Sequence, residues 1–113
     1  MSCLFCEIIN KNIPADIVFE DDEIMAFRDV DPQAPVHILI IPKRHISGLS
    51  SAKESDRELM GRICLAAAEI AGREAINLSG YRLVVNTGSD AGQAVDHLHF
   101  HLLGGRSLGW PPG

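Results

Sequence analysis

The chain has 113 residues and a formal charge of −5 at pH 7, from 10 basic and 15 acidic side chains. Hydrophobic residues make up 46% and charged residues 22%, an ordinary globular balance that excludes a disordered or fibrous chain. The length suits a single domain spanning 1–113, with residues 106–113 as a tail. No apolar run approaches the ~18 residues of a membrane span, and the first residues lack the pattern of a signal peptide, so the expected location is the cytoplasm. The acidic balance and the absence of a basic stripe argue against nucleic acid as a partner. Three cysteines are too few, and odd in number, for a disulfide scaffold.

Along the chain, the apolar spacing of Leu4, Phe5, Ile8 and Ile9 predicts a short helix over 4–10, ended by Asn12-Ile13-Pro14. Residues 17–20 and 23–28 read as two strands of a hairpin turning at Asp21-Asp22. The Pro- and Asp-rich stretch 29–35 is a loop, and the continuous apolar run 36–41 predicts a buried central strand stopped by Pro42. Ser51–Glu54 and Ser55–Glu58 both match a capping box. Behind them, helical spacing runs from Leu59 to about Leu78 and places Cys64 on the buried face, with Ser79-Gly80 as the stop. Strands follow at 81–86 and 97–103, separated by the Gly-containing loop 87–94 and ended by Gly104-Gly105. The order predicts an α+β fold, an antiparallel sheet with one short and one long helix on one face.

The segment His97-Leu98-His99-Phe100-His101-Leu102 carries the chemistry. Alternation along a strand puts His97, His99 and His101 on one face, about 7 Å between neighbours, and Leu98, Phe100 and Leu102 on the other. That spacing suits the ligands of one metal ion poorly, because His–metal distances are about 2 Å. Imidazole is part neutral near pH 7 and nucleophilic towards phosphorus, while a second ring can donate to a phosphate oxygen. The plain alternative is a half-exposed strand whose polar face is histidine. Cys3 and Cys6 have the Cys-x₂-Cys spacing of a zinc half-site; alternatively they are reduced thiols packed as small hydrophobes, or a redox pair.

The alternating triad resembles the signature of the histidine triad family, and the whole chain resembles its Hint branch. The resemblance is carried by Phe27 to His37, Ile41-Pro42-Lys43-Arg44-His45-Ile46, Gly80 to Asn86, the triad, Gly104-Gly105-Arg106 and the terminal Trp110-Pro111-Pro112-Gly113. It implies a five-stranded antiparallel sheet with two helices, extended across a homodimer. It also implies hydrolysis of purine nucleoside 5′-phosphoramidates, with AMP or GMP as ligands, through a nucleotidyl-histidine formed on His99. His101 would contact the phosphate, and His37 and His97 would support the imidazole network. Phe5, Ile8, Phe27 and Val30 would surround the base and Asp29 would hold the ribose. Asn86, Gly92, Ala94 and Val95 would form the phosphate side, and Trp110 would shape the pocket from the partner subunit.

Many Hint proteins have serine where this chain has Ala94, which removes a hydroxyl donor near the phosphate. In zinc-containing relatives of the wider superfamily the matching cysteines join two histidines, here His45 and His97. The resemblance therefore implies a structural Zn²⁺ on Cys3, Cys6, His45 and His97, and no catalytic metal or organic cofactor. Two other functions stay open: an AMP- or GMP-binding regulatory module with residual catalysis, and a dinucleoside polyphosphate hydrolase as in the Fhit branch.

Overall fold

The computed structural model describes residues 3–113. Helix α1 (Leu4–Ile9) leads into strands β1 (Ile17–Glu20), β2 (Ile24–Arg28) and β3 (Val36–Pro42), then the long helix α2 (Arg57–Arg73), β4 (Tyr81–Val85) and β5 (Phe100–Gly104). The five strands form one sheet in the order β1-β2-β3-β5-β4, and every neighbouring pair is antiparallel. The β1–β2 turn is built by Asp21, whose Oδ1 accepts the N–H groups of Glu23 and Ile24, each at 2.8 Å.

The helices lie on opposite faces of the sheet, not on one. Alternation in β2 and β3 sends Ile24, Ala26, Ile38 and Ile40 towards α2, where Ile63, Ala67 and Ile70 meet them. The intervening Met25, Phe27, Leu39 and Ile41 point the other way, against Phe5 and Ile8 of α1. This is why 38–41 reads as continuously apolar: β3 is buried on both sides.

Helix α2 begins at Arg57, just ahead of the first spaced apolar residue, and ends sooner than its spacing predicts. Two 3₁₀ turns, Leu49–Ser51 and Glu54–Asp56, precede it, and neither Ser51 nor Ser55 caps it. Asp56 is the first flanking residue, and its buried carboxylate accepts the Lys53 N–H at 2.8 Å and pairs with Arg44. At the other end Ala75 takes φ 59°, and Ala75 and Ile76 donate back to Gly72 and Ala71 at 3.2 and 3.0 Å. This is a Schellman stop without glycine. It turns Ile76 into the core and frees Glu74 to accept both arms of Arg28, at 2.8 and 3.0 Å. The buried stripe of α2 is Leu59, Ile63, Ala66, Ala67, Ile70 and Ala71. Cys64, one 100° step beyond Ile63, is exposed rather than core.

The last strand is also shorter than predicted. The β3–β5 ladder ends at Ile40 opposite Phe100. Beyond it the Leu98 N–H donates to Ile46 at 2.6 Å, and the Pro42 carbonyl accepts from the His97 side chain. His97 and His99 therefore sit in an extended approach to β5, and only His101 lies within the strand. The alternation survives, because Leu98, Phe100 and Leu102 all enter the α2-side core. The histidine face is not half-exposed: α1 covers it, and His97 and His99 are buried.

Candidate active site

The ring nitrogens of the triad face partners that fix where each proton sits. A carbonyl only accepts, so the 2.7 Å contact between His99 Nδ1 and the His97 carbonyl requires a proton on Nδ1. With Nδ1 protonated, any lone pair on the His99 ring lies on Nε2. The ring lines a cavity of about 310 Å³ and is wedged by Phe5, whose centroid lies 5.2 Å away, edge-on. A buried imidazole with a fixed tautomer and a bare nitrogen beside a cavity has the geometry that nucleophilic attack needs.

His101 is set by a second chain of donors. The main-chain N–H of Gln33 donates to His37 Nδ1 at 3.0 Å. His37 therefore bears its proton on Nε2, which lies 2.9 Å from His101 Nδ1 and 3.4 Å from Asp29 Oδ2. His101 Nδ1 accepts, so its own proton is on Nε2. Burial, with His99 and His37 nearby, pulls the His101 pKa down to about 4. Burial likewise lowers that of His37, opposed by Asp29 and Asp31. Both rings are neutral at pH 7. The His99 and His101 centroids stand 5.0 Å apart, closer than a flat strand gives, because His99 precedes the ladder.

Two clusters among the described residues bring together ligand-type atoms within 4.8 Å of one another: Cys3, Cys6, His45 and His97; and Asp29, His37 and His101. Their outer hydrogen bonds separate them. A metal-bound histidine donates its other N–H, typically to a carbonyl. His97 does so, since Nε2–H donates to Pro42 O at 2.9 Å and leaves Nδ1 facing Cys3 Sγ at 3.3 Å and Cys6 Sγ at 3.6 Å. His45 Nδ1 lies 3.4 Å from Cys6 Sγ. Sulfur at 2.3 Å and nitrogen at 2.0 Å around a tetrahedral ion stand about 3.5 Å apart, so the donor set fits zinc. Burial, then Cys3, raises the Cys6 pKa, so the thiol keeps its proton until a cation displaces it. His37 fails the same test: with a cation on Nε2 its proton would move to Nδ1, against the Gln33 N–H. That cluster is a proton-ordered relay rather than a metal site.

The cavity brings together most of the residues singled out in the sequence: Phe5, Ile8, Phe27, Asp29, Val30, Ala94, Val95, His99 and His101. Val30 lies at its rim, fully exposed. Asn86, Gly92 and Trp110 are not part of the lining within this chain, and Trp110 is 83% exposed. Sequence reasoning missed Leu4, Ile13, Pro14, Ala15, Arg28 and Leu39, which complete the wall. The available signal was Ile13-Pro14-Ala15, three apolar residues in a turn that buries little else.

A small α+β domain with a tautomer-fixed histidine beside an apolar cavity is a histidine-based catalytic scaffold. The chain belongs to the HIT domain family, whose model matches residues 10–108. It is 56% identical, over 97% of its length and 96% of the relative's, to an uncharacterized HIT-like protein of Synechococcus elongatus. Its fold superimposes on a HIT family hydrolase from Legionella pneumophila with a TM-score of 0.97 at 52% identity, covering 99% and 100% of the two chains. A histidine triad protein from Clostridium difficile matches with a TM-score of 0.93 at 40% identity, covering 96% and 95%. No helix among the described residues is long and apolar enough to cross a membrane.

Proposed function

We propose that this protein hydrolyses the P–N bond of purine nucleoside 5′-phosphoramidates, as in the Hint branch, with AMP or GMP as product. The observation that carries the reading is the 2.7 Å bond from His99 Nδ1–H to the His97 carbonyl, which bares Nε2 towards the cavity. His99 Nε2 attacks phosphorus, the P–N bond breaks and the amine leaves. Water then attacks phosphorus and frees His99. The amine nitrogen takes a proton from solvent as it leaves and the attacking water later returns one, so over both steps one water supplies the new phosphate oxygen and the amine's proton. His101, neutral with a proton on Nε2, donates a hydrogen bond to a non-bridging oxygen as charge grows there. Such a donor is worth about 10²–10³ in kcat. The base lies between Phe5, Ile8, Phe27 and Val30, and Asp29 receives the ribose. Asn86 and Gly92 act from the phosphate-side loop.

Cys3, Cys6, His45 and His97 would hold a zinc ion whose chemistry here is structural, because four protein ligands leave no open position. A homodimer is part of the same reading. Strand β4 is a sheet edge, and the tail that carries the exposed Trp110 is held by Arg82 Nη2, which donates to Gly109 O at 2.9 Å. Both supply what a partner subunit needs, an unpaired strand and a side chain for the neighbouring pocket. Ala94 favours a second reading, a nucleotide-binding regulatory module with residual catalysis, because the hydroxyl at the phosphate is lost.

The test is steady-state hydrolysis of an adenosine 5′-phosphoramidate by wild type and His99→Ala, with zinc content and AMP binding measured on the same samples. Wild-type turnover that disappears in the variant is expected. No turnover in folded, AMP-binding wild type would overturn the phosphoramidase reading in favour of the binding module. Faster turnover of a dinucleoside polyphosphate would move the protein to the Fhit-type reaction.

A further inference from the structure

We propose that Arg106 is a positioning residue for the reaction, acting through loop 29–35 to set the tautomer in which His101 meets the substrate. The proposal rests on the phosphoramidase reading only for the nature of the substrate; the tautomers are readable without it.

Outward from His101 the contacts form one chain. His101 Nδ1 accepts from His37 Nε2–H, and His37 is committed to that tautomer by the Gln33 N–H. A main-chain N–H cannot reverse its role, whereas a water or hydroxyl in its place could accept as well as donate. The relay therefore depends on Gln33 staying within hydrogen-bond reach of His37, although Gln33 lies in an irregular loop between β2 and β3. The segment after β5 holds that loop in two ways. Arg106 Nε and Nη2 both donate to the Gln33 carbonyl, at 3.1 and 2.9 Å, while Nη1 donates to Ser107 O at 2.9 Å. Beside it Gly105, at φ +89°, lies so close to Pro35 that a Cβ there would meet Pro35 Cβ at 2.9 Å.

Strand β5 thus presents His101 to the cavity, and the residues just beyond its end hold the peptide that orients His101's neighbour. Asp29 Oδ2 is the competing acceptor for the His37 proton, 3.4 Å from Nε2. If the loop drifts and Gln33 N–H is lost, His37 can place its proton on Nδ1. His101 Nδ1 then has no donor and its Nε2–H is no longer enforced.

The experiment is ¹⁵N NMR of the imidazoles in the full-length protein, with kcat and KM for the phosphoramidate on the same samples. In wild type, His37 and His101 are expected to show pyridine-type Nδ1 and pyrrole-type Nε2. Arg106→Ala should mix the tautomers of both rings and lower kcat about tenfold with KM nearly unchanged, as for a small misplacement of a catalytic group. Arg106→Lys, which restores one donor, should recover part of both. A wild-type His37 protonated on Nδ1 overturns the proposal, whatever the variants do. So does Arg106→Ala that leaves the ¹⁵N signals of His37 and His101 unchanged. A wild type that turns over no phosphoramidate defeats the function proposed above and leaves the tautomer result standing on its own.

Discussion

Stripping zinc from the Cys3, Cys6, His45 and His97 cluster should cost the fold several kcal/mol, and the size follows from where the ligands sit. Cys3 and His97 are 94 positions apart, so a metal joining them closes most of the chain into a loop. The chain-entropy expression for a cross-link of that span gives about 4.7 kcal/mol near 25 °C. That figure takes the ion to stay on the unfolded chain; an ion that leaves on unfolding adds its binding free energy, so it is a lower value. An unfolding entropy of about 2.1 cal/mol/K per residue gives about 0.24 kcal/mol/K for this chain, so 4.7 kcal/mol corresponds to a Tm fall of about 20 °C. The assay is calorimetry of the zinc-loaded protein, of the chelator-treated protein and of Cys6→Ser, at one protein concentration. Chelator should lower Tm in wild type and leave Cys6→Ser unchanged at the lower value. The reasoning is refuted if wild type loses one zinc per chain and its Tm moves by less than about 3 °C, which would mean α1 is held by Phe5 and Ile8 alone.

Three further outcomes follow from contacts described above. A methyl at Gly104 would stand 2.6 Å from Ile76 Cδ1, so Gly104→Ala should cost about 1–3 kcal/mol in urea denaturation. Ile76→Val, which removes that δ-methyl, should return part of the loss, and strictly additive effects would contradict the contact. Acid should destabilise the protein before its carboxylates titrate. His37 and His101 have folded pKa values below the ordinary 6.5, so between about 4 and 6.5 the unfolded chain binds more protons. Stability is then complete above about 6.5 and falls as the pH drops towards 4; urea midpoints equal at pH 7.5 and 5 would rule this out. Finally, Ala94→Ser should raise phosphoramidate turnover by about one to two orders of magnitude, the worth of one hydrogen bond to a charged group. An unchanged kcat would show that the missing hydroxyl is already compensated.

What could be read from the sequence was whatever depends on period. The two-residue alternation through 97–103 placed the imidazoles and their apolar partners on the correct faces even though the ladder begins only at Phe100. The five strands were visible because each is bounded by turn residues. The misreadings arose where geometry lacks a period. Ala75 ends α2 in a conformation that usually signals glycine, so Gly80 looked like the stop. Cys64 lies one step outside a narrow stripe of alanines and large aliphatics, a displacement that hydrophobic spacing does not resolve. The placement of α1 opposite α2 is a tertiary choice, hinted at only by the double-sided apolar run of β3. The Gln33 N–H and the Gln33 carbonyl leave no trace in the sequence at all, since every residue type except proline offers the same main-chain groups.

The two ends of His97 serve different masters. Its side chain faces the thiols, while its main-chain carbonyl holds the Nδ1 proton of His99. The second task is indifferent to residue type, provided the backbone stays where it is. Replacing Cys3 and Cys6 would therefore leave the His99 tautomer in place, so long as another contact keeps the 97–99 segment in register. Ligand character towards the thiols and proton placement at His99 are then separable, carried by different atoms of one residue.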